Sequence, residues 1–159
     1  MEGEKLDCIA ANPIVAFSAV TRCTPTVGPK DIPQTHPMPK GNVNLYVQNT
    51  AGDYIHDDFR HELALYVDGL LFTGCAHSGL ENILVACPYP VRSVVGGFHL
   101  LDGQETEEEL TVLAQRLKAK YPETLFYTSH CTGDKVFTTL KIIMGNQLHA
   151  FSCGMTITI

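Results

Sequence analysis

The stretch HELALYVDGLLFTGCAHSGLENILVA, residues 61–86, sets the frame for the chain. HELALYVD (61–68) and LLFTGC (70–75) read as two short apolar strands. Asp68-Gly69 between them is the dipeptide that a tight hairpin turn favours, because both of its positions tolerate positive φ. Ser78-Gly79-Leu80-Glu81 spells S-x-x-E, a capping box that would open a short helix over 79–86. Cys75 and His77 fall on the connection between strand and helix.

Working downstream, VRSVVGG (91–97) reads as a strand. Leu110, Leu113, Ala114 and Leu117 recur at helical spacing and predict a helix over about 106–120. Its start is acidic and its end basic, which suits the helix macrodipole. TLFYTS (124–129) is the next strand. Val136, Phe137, Leu140, Ile143 and Met144 line one face of a helix over 133–144, and QLHAFSCG (147–154) returns as a strand. From about residue 61 the order is therefore β-β-α-β-α-β-α-β, the alternation of an α/β layer with buried strands. Upstream, residues 1–60 are irregular and loop-rich. NPIVAFSAV (12–20) and NVNLYVQN (42–49) read as strands, and the segment between them carries five prolines and reads as a long surface loop. No internal repeat is present.

The bulk numbers narrow the class. The chain has 159 residues, 45% apolar and 18% charged, enough for one domain with a real core. A net charge of −6 with no basic block argues against nucleic acid as a partner. No apolar run approaches the roughly 20 residues of a membrane span, and the N-terminus lacks the basic and apolar regions of a signal peptide. The six cysteines form no C-x-x-C pair and sit inside apolar segments, which predicts a reduced, cytoplasmic protein.

Three histidines follow apolar strands: His77 in FTGCAHSG, His99 in VVGGFHLL and His130 in FYTSHCTG. In α/β sheets ligands gather beyond the carboxyl ends of the strands, so residues far apart in sequence can share one site. Neutral imidazole is a common transition-metal ligand, although a single histidine there serves equally well as a satisfied core or surface residue. Gly74, Gly79, Gly96, Gly97 and Gly133 flank these histidines and permit close backbone approach. Thr132 stands where it could cap the helix after His130, next to amides that favour an anion. Cys75 and Cys131 offer a thiolate ligand or nucleophile, or a small buried side chain. Asp57, Asp58 and Glu62 in HDDFRHE are either ligands or a solvated loop.

These motifs, in this order, resemble a metallo-β-lactamase-fold family of metal-dependent hydrolases. The family includes the archaeal synthase of the dihydropterin ribofuranosylaminobenzene phosphate precursor of methanopterin. The resemblance runs over about residues 57–153 and rests on Glu62–Leu65, Gly69–Leu84, Gly96–Leu100 and His130–Gly133, while GPKDIP (28–33) looks like the family's G-x-I-P loop. It implies an αββα sandwich, of which this chain is the C-terminal half, holding one or two divalent metal ions, with zinc first and manganese or iron as alternatives. It implies His130, His77 and Cys75 as metal ligands, and His99, Thr132 and Gly97 as substrate-binding residues. The implied substrate is a small, phosphorylated or pterin-like molecule, attacked by water that the metal activates. Two features depart from the pattern. His61 stands where an acidic residue is usual, and the superfamily's H-x-H-x-D-H is absent, since no His-x-His occurs in the chain. The expectation is a chain that starts after that motif. A complementing N-terminal half or a homo-oligomer would then cover its inner sheet face, and the alternative is a non-catalytic remnant or a subunit that completes a partner.

Overall fold

In the computed structural model the hairpin forms as the sequence suggests. β4 (Ala64–Val67) and β5 (Leu70–Thr73) pair antiparallel, with Leu65 opposite Phe72. Asp68 and Gly69 both take positive φ, 43° and 86°, the backbone of a two-residue turn matched to the twist of the strands. The structure describes residues 14–16, 32, 34–59, 62–101 and 104–156, and for 14–16 and His130 the backbone alone. The expected G-x-I-P loop, apart from Ile32, and His61 lie outside the described residues.

The order after the hairpin is α1 (Leu80–Ala86), β6 (Ser93–Val95), α2 (Glu107–Lys120), β7 (Leu125–Thr128), α3 (Asp134–Met144) and β8 (Leu148–Ala150). Before the hairpin come β1 (Ile14–Ala16), β2 (Tyr46–Gln48) and β3 (Tyr54–His56). β1, β4, β5, β6, β7 and β8 form one sheet in that order, with β5 through β8 parallel. β2 and β3 make a separate exposed hairpin, whose second strand lies in a stretch that the sequence reading left as irregular.

Sheet register separates the two faces. Tyr66, Leu71, Val94, Phe126 and Leu148 stand side by side across the strands. Leu71, Val94, Phe126 and Leu148 are fully buried in one cluster with Ile83 of α1, Leu117 of α2 and Leu140 of α3, so all three helices cover this face. The opposite row is Leu65, Phe72, Val95, Tyr127 and His149, and none of it belongs to that cluster. Leu65 and Phe72 in this row are 37% and 38% exposed. Among the described residues the second face of the sheet is thus apolar yet partly open at Leu65 and Phe72.

Helix capping corrects the sequence reading. α1 has Gly79 at its N-cap and no side-chain cap, so Ser78-x-x-Glu81 is not a capping box. The Ser78 amide that Glu81 would have bound is taken by Glu62, and the Glu81 carboxylate is held by Arg116 in a two-pronged pair at 2.6–3.1 Å. A capping box does form at Thr106-x-x-Glu109, at the start of α2. α3 likewise starts from Gly133 without a side-chain cap. Thr132 is buried instead, where its hydroxyl accepts the Phe98 amide at 3.0 Å and lies 2.5 Å from the Thr128 hydroxyl.

Candidate metal centre

β5, β6 and β7 are adjacent and parallel, so the loops at their carboxyl ends emerge together. The first loop carries Cys75 and His77, the second His99, and the third His130, in a short 3-10 turn over His130–Thr132. Donor atoms of Cys75, His77 and His99 all lie within 4.8 Å of one another. The His77 and His99 rings meet edge to face with centroids 4.2 Å apart, and Phe59 stacks on His77 at 4.9 Å. The His130 side chain lies outside the described residues, so its place relative to this trio is not part of the geometry.

Two devices hold the loops together. The first is a glycine pair. The Gly97 amide donates to the Gly74 carbonyl at 2.9 Å, which brings the two loops into backbone contact. A Cβ on Gly97 would strike the Cys131 sulfur, and one on Gly96 would stand 2.5 Å from the Thr73 carbonyl oxygen. Gly97 is buried here, as a packing position between Gly74 and Cys131. The second is the turn at 131–132. The Cys131 carbonyl accepts the amides of Leu100 and Leu101, both at 2.8 Å, and its sulfur accepts the His99 amide at 3.3 Å. Burial pushes the Cys131 thiol up to about 11; the His99 amide opposes that rise and the neighbouring Cys75 thiol adds to it. Such a thiol is a weak nucleophile at neutral pH and a good packing and acceptor group.

Glu62 fixes the other side. It is buried, and its two carboxylate oxygens accept the amides of His77 at 2.5 Å and Ser78 at 2.7 Å. His77 Nδ1 lies 3.8 Å from the same carboxylate, and Asn42 donates to the His77 carbonyl at 2.7 Å. Ala76 and His99 both adopt left-handed backbone, φ 60° and 51°. For residues with a Cβ this conformation costs free energy and persists where surrounding contacts impose it, often at functional sites. Asp57 accepts the Phe59 amide at 2.8 Å and so shapes the approach to Glu62.

The arrangement fits a metal ion. His99 Nε2 is buried and has no hydrogen-bond partner among the described residues. A buried polar atom left this way calls for a ligand. One thiol and two imidazoles make a borderline-soft donor set of the kind transition metals prefer. His99, expected to touch substrate, stands among the donors. Sequence reasoning passed over Glu62 as a positioning group. The sequence marks Glu62 as a candidate ligand and as the first residue of a family-like motif, but nothing local shows which amides it will reach. Cys87, Cys131 and Cys153 are free thiols, and no helix among the described residues is long and apolar enough to cross a membrane.

No protein-family model matches the chain. An uncharacterised protein of Methanocaldococcus jannaschii is 30% identical over 105 residues, which is 65% of this chain and 38% of that protein. The crystal structure of a metal-dependent hydrolase of the β-lactamase superfamily superposes with a TM-score of 0.70 at 24% identity, over 84% of this chain and 52% of that one. The chain therefore has the α/β architecture of a metallo-β-lactamase-fold domain, and spans about half the length of that neighbour.

Proposed function

We propose that this chain supplies a metal-binding edge of a hydrolase with the metallo-β-lactamase fold. Cys75, His77 and His99 would hold a divalent ion, zinc before manganese or iron, because a thiolate and two imidazoles suit zinc best. His130, at the equivalent end of β7, is proposed as a further ligand on the resemblance alone. The observation that carries the reading is the convergence of three donors from two strand ends, one of them a buried imidazole nitrogen with no partner among the described residues. A bound divalent ion would supply Lewis-acid chemistry toward a water or a substrate oxygen at neutral pH. The chain's own part is positional: Glu62 orients the His77 turn through two amides, and Cys131 sets the His99 loop. The proposed substrate is a small phosphorylated or pterin-like molecule.

The test is metal content and zinc affinity of the purified chain against His77→Ala and His99→Ala, with circular dichroism to establish folding. The expected result is about one ion per chain in the wild type and at least a tenfold loss of affinity in each variant. Unchanged metal content in both folded variants would sink the assignment.

A second reading has the chain as a subunit, or a non-catalytic remnant, that completes or once completed a larger sandwich. The exposed Leu65 and Phe72 on the open sheet face favour it. Under this reading the covering layer is a complementing half or a second copy of the chain. Phe72→Glu should then weaken association measured by light scattering, while a wild-type chain that stays monomeric at high concentration would count against the second copy.

A further inference from the structure

Between the 37–40 segment, α1 and α2 lies a cavity of about 270 Å³ that shares no residue with the Cys75, His77, His99 cluster. Its walls are Met38, Leu80, Phe98, Leu100, Val112 and Leu113. Of these, Leu80, Phe98 and Leu100 are buried, whereas Met38 and Val112 are exposed. Apolar concavities edged by a few polar groups are the usual form of small-molecule sites.

The charged groups around it are unequal. Four carboxylates (Glu81, Glu105, Glu108, Glu109) face two cations, Lys40 and Arg116. Both cations are committed. Arg116 forks onto Glu81, and the Lys40 ammonium sits 2.6 Å from Glu109. Glu105 receives only the Lys40 backbone amide at 2.7 Å, and Glu108 has no hydrogen bond or ion pair among the described residues. The cavity therefore combines an apolar interior with two carboxylates that no side-chain cation among the described residues neutralises. The first turn of α2 accounts for acidic residues in general through the helix dipole. It does not account for an apolar cavity opening beside them.

We propose that this cavity binds a small organic cation, an apolar body carrying one ammonium group, with the body against Phe98 and Leu100 and the charge at Glu105 and Glu108. This goes beyond the metal-site reading and stands or falls without it. Because Phe98 and Leu100 flank His99, the occupant would rest behind the loop that carries that histidine.

The experiment is calorimetric or NMR titration of the full chain with 4-phenylbutylammonium, 4-phenylbutanol and 4-phenylbutyrate, three probes of similar body and different charge. The ammonium should bind with a dissociation constant in the millimolar range or tighter, about tenfold better than the alcohol, with the carboxylate weakest. Glu108→Gln should shrink the preference for the ammonium over the alcohol. Val112→Trp, which fills the opening from a half-exposed helix position, should weaken all three probes. Equal binding of the three, a preference for the carboxylate, no binding of the ammonium, or binding unaffected by a folded Val112→Trp variant would each overturn the proposal.

Discussion

Substituting Gly97 by Ala tests how the two loops of the candidate metal centre are held. Gly97 does not sit in the left-handed region, so an added methyl meets no backbone penalty, only its neighbours. It would collide with the Cys131 sulfur, with the Gly74 carbonyl oxygen and the Cys75 Cα in ordinary contact at 3.5 and 3.6 Å. Overpacking of this kind costs about 1–3 kcal/mol. Cys131→Ala alone removes a buried sulfur and the acceptor of the His99 amide, worth about 1–2 kcal/mol. In the double variant the methyl added at position 97 enters the space left by the sulfur. The two costs then fail to add, and the coupling should reach about 1–2 kcal/mol in favour of the double variant. Gly96→Ala is the control. Its methyl would stand 2.5 Å from the Thr73 backbone oxygen, which no change at Cys131 relieves, so that pair should add within about 0.5 kcal/mol. The assay is urea unfolding followed by circular dichroism on the single and double variants and the wild type. Additive costs for Gly97→Ala with Cys131→Ala would refute the packing account, as would rescue of Gly96→Ala by Cys131→Ala.

Three further outcomes follow from the same geometry. Glu62→Gln keeps one acceptor but turns a donor toward the second amide, so it should destabilise by about 1.5–3 kcal/mol and lower zinc affinity roughly 10–100-fold; unaltered zinc affinity in a folded variant would remove Glu62 from the site. Asn82 is fully buried and ties the 35–36 backbone to α1 through the amides of Thr35 and His36 and the carbonyls of His36 and Ser78. Asn82→Ala should cost about 2–4 kcal/mol and open the 34–40 segment to limited proteolysis, and a wild-type cleavage pattern would contradict that role. The Lys40 ammonium, followed by the Thr106 amide, holds the Glu109 carboxyl below its ordinary value of 4.5. A carboxyl lowered on folding contributes stability above its unfolded pKa, and that contribution is lost as pH falls through the folded value. An NMR titration of Glu109 should therefore show a midpoint below 4.5 that moves up in Lys40→Met, and an unmoved midpoint would show that the pair is not formed in solution.

The fold was legible in the sequence from residue 61 onward because its signals are local. Asp68-Gly69 dictates a hairpin turn by backbone sterics, and the helical spacing of Leu110, Ala114 and Leu117 dictates a buried face whatever lies opposite. Where two local rules competed, the sequence could not arbitrate. Ser78-x-x-Glu81 and Thr106-x-x-Glu109 are the same motif, and only the second caps a helix. At the first, Glu62 and Arg116 reach in from distant positions and take the groups that a cap would use. The upstream hairpin was half visible, since Tyr46–Gln48 reads as a strand while Tyr54–His56 lies in a polar stretch with little periodicity.

The sequence by itself determined that Cys75, His77, His99 and His130 stand at the ends of three strands, and that those strands belong to one alternating α/β layer. Only the tertiary structure decided that β5, β6 and β7 are parallel neighbours, that Cys75, His77 and His99 converge within 4.8 Å, and that Glu62 rather than a nearby residue positions the His77 turn. The physical reason is range. Secondary structure follows from sterics and periodicity within a few residues, whereas a donor cluster is assembled by sheet register and by buried hydrogen bonds between segments that the sequence keeps apart.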